Sequence, residues 1–257
     1  MLSRLQRLIE SFATRLPIGS PLKLALAEAA LRHLQEVTYI RLRNAGFSPG
    51  TIIDIGAYVG DWTKLVKEIF PRASVFMVEA QKELESILKS VSSQYADVEC
   101  RIALLGAAEQ EKIPFYVGGT GSSVYRERSD TAMATINTSM TTLDKIVPSP
   151  LRSPIFLKLD VQGAELDVLR GASFTLGNAD VVQLETALLS YNEGAPTSAE
   201  LIAFMDKRGF AIFDIAGFVR PNGKDLAQID IIFVRKQSNL RSDRFYFGGS
   251  EVKLAGV

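Results

Sequence analysis

A glycine-containing loop lies between an apolar run and an amphipathic segment, and its first residue carries a carboxylate. The loop reads Asp54-Ile55-Gly56-Ala57-Tyr58-Val59-Gly60. Glycine lets a backbone turn tightly and approach a ligand, and a helix that starts after the loop offers free N–H donors. In a Gly-x-Gly-x-x-Gly dinucleotide loop the first position is glycine, whereas Asp54 would repel a pyrophosphate. Its carboxylate is instead suited to a cationic amino group, directly or through water.

A second carboxylate, Glu79, ends the next apolar run, Val75-Phe76-Met77-Val78. An acidic residue at this place in a strand–helix–strand unit accepts both hydroxyls of a ribose. S-adenosylmethionine combines a ribose and an amine without a diphosphate, so Asp54, the two glycines and Glu79 together predict this cofactor. Two other interpretations stay open, namely a dinucleotide site that lacks the third glycine and a domain whose glycines only form turns.

Two further acids stand at or near the ends of later apolar runs, Asp160 after Ile155-Phe156-Leu157-Lys158-Leu159 and Glu185 after Asp180-Val181-Val182-Gln183-Leu184. Open α/β sheets bind ligands at the carboxyl ends of their strands, and a hydroxyl that is to be alkylated needs a base. Asp160 is therefore the first candidate for orienting or deprotonating an acceptor, and Glu185 the second. A loop-bracing role for Asp160 is the alternative.

Lys158 lies on the same strand face as Asp160, two positions earlier. It is predicted either to pair with Asp160, lowering the pKa of that carboxyl, or to hold an anionic group of the substrate. We considered magnesium between Asp160 and Glu185, but predict no metal site because no dense carboxylate cluster is visible in the sequence.

The elements that would position these residues alternate between strands and helices, which is typical of a parallel sheet covered on both faces. Strands are predicted at 51–56, 75–79, 98–105, 155–160, 180–185, 210–215 and 229–234, and helices at 61–70, 82–92, 165–172 and 198–208. Thr197 and Glu200 form a capping-box pattern, and Gly209 ends that helix.

Residues 106–150 interrupt this alternation and predict an inserted hairpin and loop. The segment Gly118–Tyr125 is either a cover for the cofactor, with Ser122 or Ser123 offering a hydroxyl, or a hairpin tip.

The segment Leu157-Lys158-Leu159-Asp160-Val161-Gln162-Gly163-Ala164-Glu165-Leu166-Asp167-Val168-Leu169-Arg170-Gly171-Ala172 resembles the signature of the FkbM family of S-adenosylmethionine-dependent methyltransferases. Ser122-Ser123, Thr142-Leu143-Asp144 and the Asp54 loop also fit this family, and the resemblance extends from about Pro49 to Arg235. Two departures are Gln162, where the family has Glu, and Val78-Glu79-Ala80-Gln81, where Glu-Pro is usual.

The resemblance implies a Rossmann-like class I methyltransferase, an α/β fold with a seven-stranded, mostly parallel sheet whose last strand is antiparallel. It also implies methyl transfer to an oxygen, on a hydroxyl of a sugar, a glycolipid or a natural product. We expect the catalytic residues to be Asp160, Glu185 and Lys158. The expected cofactor-binding residues are Asp54, Gly56, Ala57, Tyr58, Gly60, Asp61, Glu79, Ala80, Ala103, Ser123 and Asp160. N- or C-methylation and a non-catalytic binding or assembly protein remain alternatives.

Composition excludes several other classes of protein. The 257 residues include 29 Lys and Arg against 29 Asp and Glu, so the formal net charge is zero and a strongly basic nucleic-acid binder is disfavoured. The single cysteine, Cys100, cannot form an internal disulfide, and with only His33 beside it a Cys/His zinc cluster is excluded. No apolar run is long enough for a membrane span and no secretory signal is recognised, so a cytoplasmic location is expected.

We divide the chain into an N-terminal helical extension (1–45), a methyltransferase domain (46–237) and a C-terminal tail (238–257). Two apolar stripes are predicted in the extension, Leu2 to Leu16 and Leu22 to Val37. They are expected to pack on the main domain or on a second copy of the chain, with peripheral membrane contact as the alternative, since basic residues flank them.

Overall fold

The computed structural model describes residues 15–17, 19–23, 33–128, 133–221, 224–241, 245–247 and 250–252. The strands in chain order are β1 (Thr51–Ile55), β2 (Ser74–Glu79), β3 (Val98–Ile102), β4 (Leu104–Leu105), β5 (Gln110–Val117), β6 (Ala134–Thr141), β7 (Ile155–Leu159), β8 (Val181–Ala187), β9 (Phe210–Val219), β10 (Gln228–Arg235), β11 (Phe245–Phe247) and β12 (Ser250–Val252). The α-helices are α1 (Leu34–Asn44), α2 (Asp61–Ile69), α3 (Glu85–Ser92), α4 (Leu143–Ile146), α5 (Glu165–Arg170), α6 (Ser173–Asn178) and α7 (Ser198–Lys207).

Seven strands form the main sheet in the order β3-β2-β1-β7-β8-β10-β9. The pairs from β3 to β8 are parallel, whereas β10 runs antiparallel to both β8 and β9. All five residues of β1 and of β7 are buried, as expected for central strands with helices on both faces. The predicted sheet, mostly parallel with its last strand antiparallel, is confirmed.

One apolar core lies on each face of this sheet. The first includes Leu159, Leu169 and Phe210, and the second includes Ile52, Val66 and Phe156. Because alternate residues of a strand point to opposite faces, the continuous apolar runs of the central strands supply both cores.

Helix α1 packs on the second core through a different face from the one predicted. Thr38, Tyr39 and Leu42 are buried, whereas Val37 and Leu22, which the predicted stripe contained, are exposed. The stripe was wrong at Val37 because α1 packs against β9 through the face that carries Thr38, Tyr39 and Leu42. The rest of the predicted extension, residues 1–14, 18 and 24–32, lies outside the described residues.

Three predicted elements differ in extent. The strand predicted over 98–105 is broken at Ala103, whose N–H bonds the carbonyl of Glu79, and Leu104–Leu105 then joins a smaller sheet of order β4-β6-β5. A 3₁₀ turn at Lys82–Leu84 precedes α3, and the unpredicted α6 follows α5.

The insertion and the last predicted helix agree with expectation. Strands β5 and β6 pair antiparallel as an inserted hairpin. Thr197 caps α7 with a full capping box, since its N–H bonds Glu200 Oε2 at 2.8 Å and its side chain accepts from the N–H of Glu200. Within the described ranges, no helix is both long and apolar enough to cross a membrane.

Candidate active site

A cavity of about 360 Å³ lies at the carboxyl ends of β1, β2, β7 and β8. Its lining includes Gly56 after β1, Glu79 at the end of β2, Asp160 after β7 and Glu185 in β8. Parallel strands place their carboxyl ends along one sheet edge, which is why residues distant in the chain meet here. The volume lies within the range of small-molecule sites.

The loop after β1 folds tightly against the end of β7. Gly56 has a φ of +76°, and a Cβ at this position would lie 1.8 Å from the carbonyl oxygen of Asp160. The N–H groups of Gly56 and Ala57 bond the carbonyl of Val78 at 2.9 and 3.1 Å. Glycine is therefore required here by both conformation and space.

Glu79 faces the cavity from the end of β2 and is 5% exposed. Its Oε2 accepts the Tyr58 N–H at 2.8 Å, and its Oε1 accepts the Gln81 N–H at 2.9 Å. Oε1 also accepts from Gln81 Nε2 at 3.4 Å, whereas Oε2 has one donor in the structure and keeps a second lone pair for a ligand hydroxyl.

Asp54 lies beneath the loop and does not line the cavity. It is fully buried, its Oδ2 accepts the Thr63 hydroxyl at 2.8 Å, and its Oδ1 lies 3.3 Å from Lys158 Nζ. Asp54 was expected to face a cationic amino group of a ligand. The cation it faces is instead Lys158, because the two residues are register partners on β1 and β7.

Lys158 is buried among the residues that the structure describes. Its Nζ donates to the carbonyl of Gly56 at 3.2 Å, lies 3.4 Å from Asp160 Oδ2, and stands 5.5 Å from the centre of the Trp62 ring. Burial by itself lowers the pKa of Lys158, but the charges of Asp54 and Asp160 outweigh it and hold that pKa above its usual value. The ion pair with Asp160 that one of the two interpretations expected is present, and Lys158 does not belong to the lining of the cavity.

A chain of hydrogen bonds connects helix α1 with Trp62, whose ring lies beside Lys158. Trp62 Nε1 donates to Tyr39 Oη at 2.6 Å, and the Tyr39 hydroxyl donates to Gln183 Oε1. Tyr39 and Trp62 also pack edge to face, with ring centres 6.0 Å apart. A residue of the predicted N-terminal extension thus contacts the tryptophan beside Lys158.

The other end of the cavity holds carboxyl and amide side chains. Glu185 Oε1 accepts from Gln162 Nε2 at 2.7 Å and from Gln228 Nε2 at 2.5 Å. Burial and then the charge of Asp160 hold the pKa of Glu185 well above its usual range. Burial, followed by the same charge, raises the pKa of Asp230 to about 6.

The turn after β7 is braced by Glu165, the first residue of α5. Its carboxylate accepts the N–H groups of Val161 at 2.9 Å and Gly163 at 3.0 Å. Burial raises the pKa of Glu165 to about 7, against the lowering effect of these bonds. Glu165 therefore fixes the backbone between Asp160 and α5 and does not line the cavity.

Most of the predicted site residues line one cavity, and the others lie outside its lining. Those in the lining are Gly56, Tyr58, Glu79, Ala80, Ala103, Ser123, Asp160 and Glu185. Those outside the lining are Asp54, Ala57, Gly60, Asp61 and Lys158. Asp61 is exposed and pairs with Lys64 at 2.8 Å.

Sequence reasoning missed several lining residues, including Gln81, Phe115, Gln162 and Gln228. Gln81 follows Glu79 by two positions and Gln162 follows Asp160 by two, so proximity to a predicted acid was the available signal. Gln228 and Phe115 reach the cavity through β10 and β5, whose placement depends on sheet pairing, and the sequence holds no local signal for them.

The structure is similar to several solved methyltransferases at low sequence identity. Precorrin-6y C5,15-methyltransferase from Geobacter metallireducens GS-15 is 14% identical, with a TM-score of 0.44 over 79% of this chain and 89% of that one. Magnesium protoporphyrin IX methyltransferase from Synechocystis PCC 6803, solved with bound SAM, is 10% identical, with a TM-score of 0.44 over 87% and 88%. A SAM-dependent methyltransferase from Aquifex aeolicus is 14% identical, with a TM-score of 0.40 over 84% and 99%.

No curated protein matches the chain in sequence. Residues 54–212 match the profile of the methyltransferase FkbM domain, which spans the glycine loop, Glu79, the inserted hairpin, Asp160 and Glu185. This match covers more than half of the 257 residues. The chain therefore belongs to the FkbM methyltransferase domain family, and S-adenosylmethionine is the cofactor that goes with this family.

Proposed function

We propose that the chain transfers a methyl group from S-adenosylmethionine to a hydroxyl oxygen of a sugar, glycolipid or natural-product acceptor. The observation that carries this proposal is that Glu79 and the pair Asp160 and Glu185 line the same cavity. One part of the cavity then offers a carboxylate for a ribose diol, and another offers two half-buried carboxyl groups for proton transfer.

The residues around Glu79 fit the cofactor. The carboxylate faces the cavity with a lone pair free on Oε2, and the absence of a Cβ at Gly56 lets the neighbouring backbone lie close. Tyr58, Ala80 and Ala103 complete this part of the lining, and we assign these residues to cofactor binding. When bound, S-adenosylmethionine supplies an electrophilic methyl group on a sulfonium.

The acids near β7 and β8 fit an acceptor hydroxyl. A hydroxyl is a weak nucleophile until a base within hydrogen-bond reach removes its proton. Asp160, or Glu185 in its ionised form, would accept that proton on a carboxylate oxygen. Burial and the charge of Asp160 favour the protonated form of Glu185, so Asp160 is the first candidate for the base at neutral pH.

The inserted hairpin supplies a cover for the cavity. Residues 119–124 lie in its lining, Gln81 Nε2 donates to the Gly119 carbonyl at 3.1 Å, and Ser123 Oγ donates to the Gln162 carbonyl at 2.8 Å. These bonds attach the hairpin both to the strand end beside Glu79 and to the turn beside Asp160. A cover fixed at both places limits water around the reacting groups and orients the acceptor.

The test begins with calorimetric titration of the purified chain with S-adenosylhomocysteine. We expect binding, and in Glu79→Ala a loss of affinity of about tenfold or more, since a charge-assisted hydrogen bond disappears. Glu83→Ala, at an exposed position of the neighbouring 3₁₀ turn, is the matched control and retains the affinity. Failure of the wild-type chain to bind, or an unchanged affinity in a folded Glu79→Ala, contradicts the cofactor site.

The second part of the test uses a radiolabelled methyl donor and a pool of glycan, glycolipid and polyketide-like acceptors. We expect label in an acid-stable ether on one of them. Cofactor binding with no labelled product from any hydroxyl-bearing acceptor would favour a non-catalytic binding protein, and label on nitrogen or carbon would overturn the assignment to oxygen.

A further inference from the structure

Resting on the proposed function, we propose that Gln162 is a positioning residue whose side-chain amide bridges Asp160 and Glu185 and holds them together as a pair at the acceptor part of the cavity. Gln162 Nε2 donates to Asp160 Oδ1 at 3.0 Å and to Glu185 Oε1 at 2.7 Å. A primary amide has two N–H groups, so a single neutral side chain satisfies both acids.

The Gln162 bridge reduces the electrostatic repulsion between Asp160 and Glu185. Two neighbouring carboxyl groups disfavour each other's ionised forms unless a donor or a cation lies between them. The nearby cation, Lys158, is already held by Asp54 and the Gly56 carbonyl, and its Nζ reaches only Asp160 of the pair within 4.0 Å. Gln162 supplies the donor that reaches both.

The backbone of Gln162 is constrained to place this amide. Its φ is +53°, in the left-handed region that a residue with a side chain seldom adopts. Its carbonyl accepts from Ser123 Oγ at 2.8 Å and from Asn192 Nδ2 at 2.7 Å, so the inserted hairpin and the segment after β8 both hold it. A strained conformation that separate elements fix in place is a common feature of functional sites.

The side-chain amide of Gln228 also orients the carboxyl group of Glu185. Gln228 Nε2 donates to the same oxygen, Oε1, at 2.5 Å and lies 2.6 Å from Tyr191 Oη. Since both amides bond Oε1, the other carboxylate oxygen, Oε2, is the one left to meet an acceptor hydroxyl.

Several charged or titratable groups face Glu185 from the surrounding elements. Asp160 and Lys158 come from β7 and its end, Glu165 from α5, Asp230 from β10 and Tyr191 from the segment after β8. Apart from Lys158, the charges among them oppose ionisation of Glu185, so its protonation depends on donors to its carboxylate. The Gln162 amide is such a donor, whereas the glutamate of the family signature would add another negative charge.

The experiment follows the carboxyl titration of Glu185 by NMR in chain labelled with carbon-13 at glutamate side-chain carboxyls, with Glu185→Gln identifying the signal. In Gln162→Met we expect the midpoint to rise by about one pH unit because donation to the ionised form is lost, and in Gln162→Glu to rise further because a like charge is added. Gln81→Met, which removes an amide elsewhere in the same cavity, is the control and leaves the midpoint unchanged. An unchanged midpoint in either folded Gln162 variant overturns the proposal.

Titration with S-adenosylhomocysteine on the same samples separates this proposal from the proposed function. We expect Gln162→Met to bind it with wild-type affinity, since Glu79 and the glycine loop are untouched. A wild-type chain that does not bind it refutes the proposed function, while the Glu185 midpoints still decide the role of Gln162. Loss of this binding in a folded Gln162→Met would assign Gln162 to the cofactor and contradict the positioning role.

Discussion

Lys158 is the buried counter-ion of Asp54. The two residues are register partners on adjacent parallel strands, with Asp54 Oδ1 3.3 Å from Lys158 Nζ, and their side chains are 0% and 5% exposed. Lys158 also lies 3.4 Å from Asp160. The pair therefore connects the start of the glycine loop with the acid at the end of β7, and both functional parts of the cavity depend on it.

Removing one member of this pair is expected to be costly. Asp54→Ala leaves Lys158 in a buried position with Asp160 as its remaining charged partner, and we expect a loss of about 3 kcal/mol in the free energy of unfolding, measured by urea denaturation. Asp61→Ala, which removes an exposed ion pair to Lys64, is the control and has little effect. Equal effects of the two variants would contradict a structural role for Asp54.

Gly56 is expected to tolerate no side chain. A Cβ would meet the Asp160 carbonyl oxygen at 1.8 Å, and the left-handed φ adds strain, so Gly56→Ala should lose more than about 2 kcal/mol of stability. It should also weaken S-adenosylhomocysteine binding, since the loop must move. Gly177→Ala is the matched control, because nothing lies within 4 Å of its Cβ, and it should gain about 0.5–1 kcal/mol as a helical residue. Thermal and chemical denaturation of both variants measures the difference.

Glu165 is expected to make stability depend on pH. Burial raises its folded pKa to about 7, whereas an unfolded glutamate titrates at about 4.3. Between these values the folded chain keeps a proton that the unfolded chain has released, so this group lowers the free energy of unfolding as pH rises. Glu165→Gln does not titrate, and relative to wild type it should gain on the order of 3 kcal/mol between about pH 4 and about pH 8.

Urea denaturation at a series of pH values measures this difference. Glu83→Gln, at an exposed position, provides the control and should track the wild type across the range. A constant difference between Glu165→Gln and wild type would show that Glu165 ionises with an ordinary pKa in the folded chain.

Asp160 is expected to act on turnover without holding the cofactor. Asp160→Asn preserves the shape of the side chain but cannot accept a proton from a hydroxyl, so we expect retained S-adenosylhomocysteine affinity and a loss of methyl transfer of about a hundredfold or more. Asp206→Asn, at an exposed ion pair with Lys236, is the control for both measurements. Full methyl transfer by Asp160→Asn would leave Asp160 with the loop-bracing role that the sequence also allowed.

Local patterns of residue types were sufficient to predict most strands and helices of the fold. The central strands β1, β2, β7 and β8 are mostly apolar, and this pattern indicates strands that are buried on both faces. The cap of α7 depends on residues 197–200 alone. The division of 98–105 into β3 and β4 was missed because it depends on the pairing of Leu104–Leu105 with β6, which is distant in the chain.

The sequence by itself determined that Glu79 and Asp160 stand at strand ends, because they close or follow mostly apolar runs, whereas Glu185 lies within β8, which continues to Ala187. Only the tertiary structure decided what each of them faces. Asp54 meets Lys158, and Gln162 meets Glu185, through the register of strands far apart in the chain. Register is fixed by packing across the whole sheet, so no local pattern of residue types contains it.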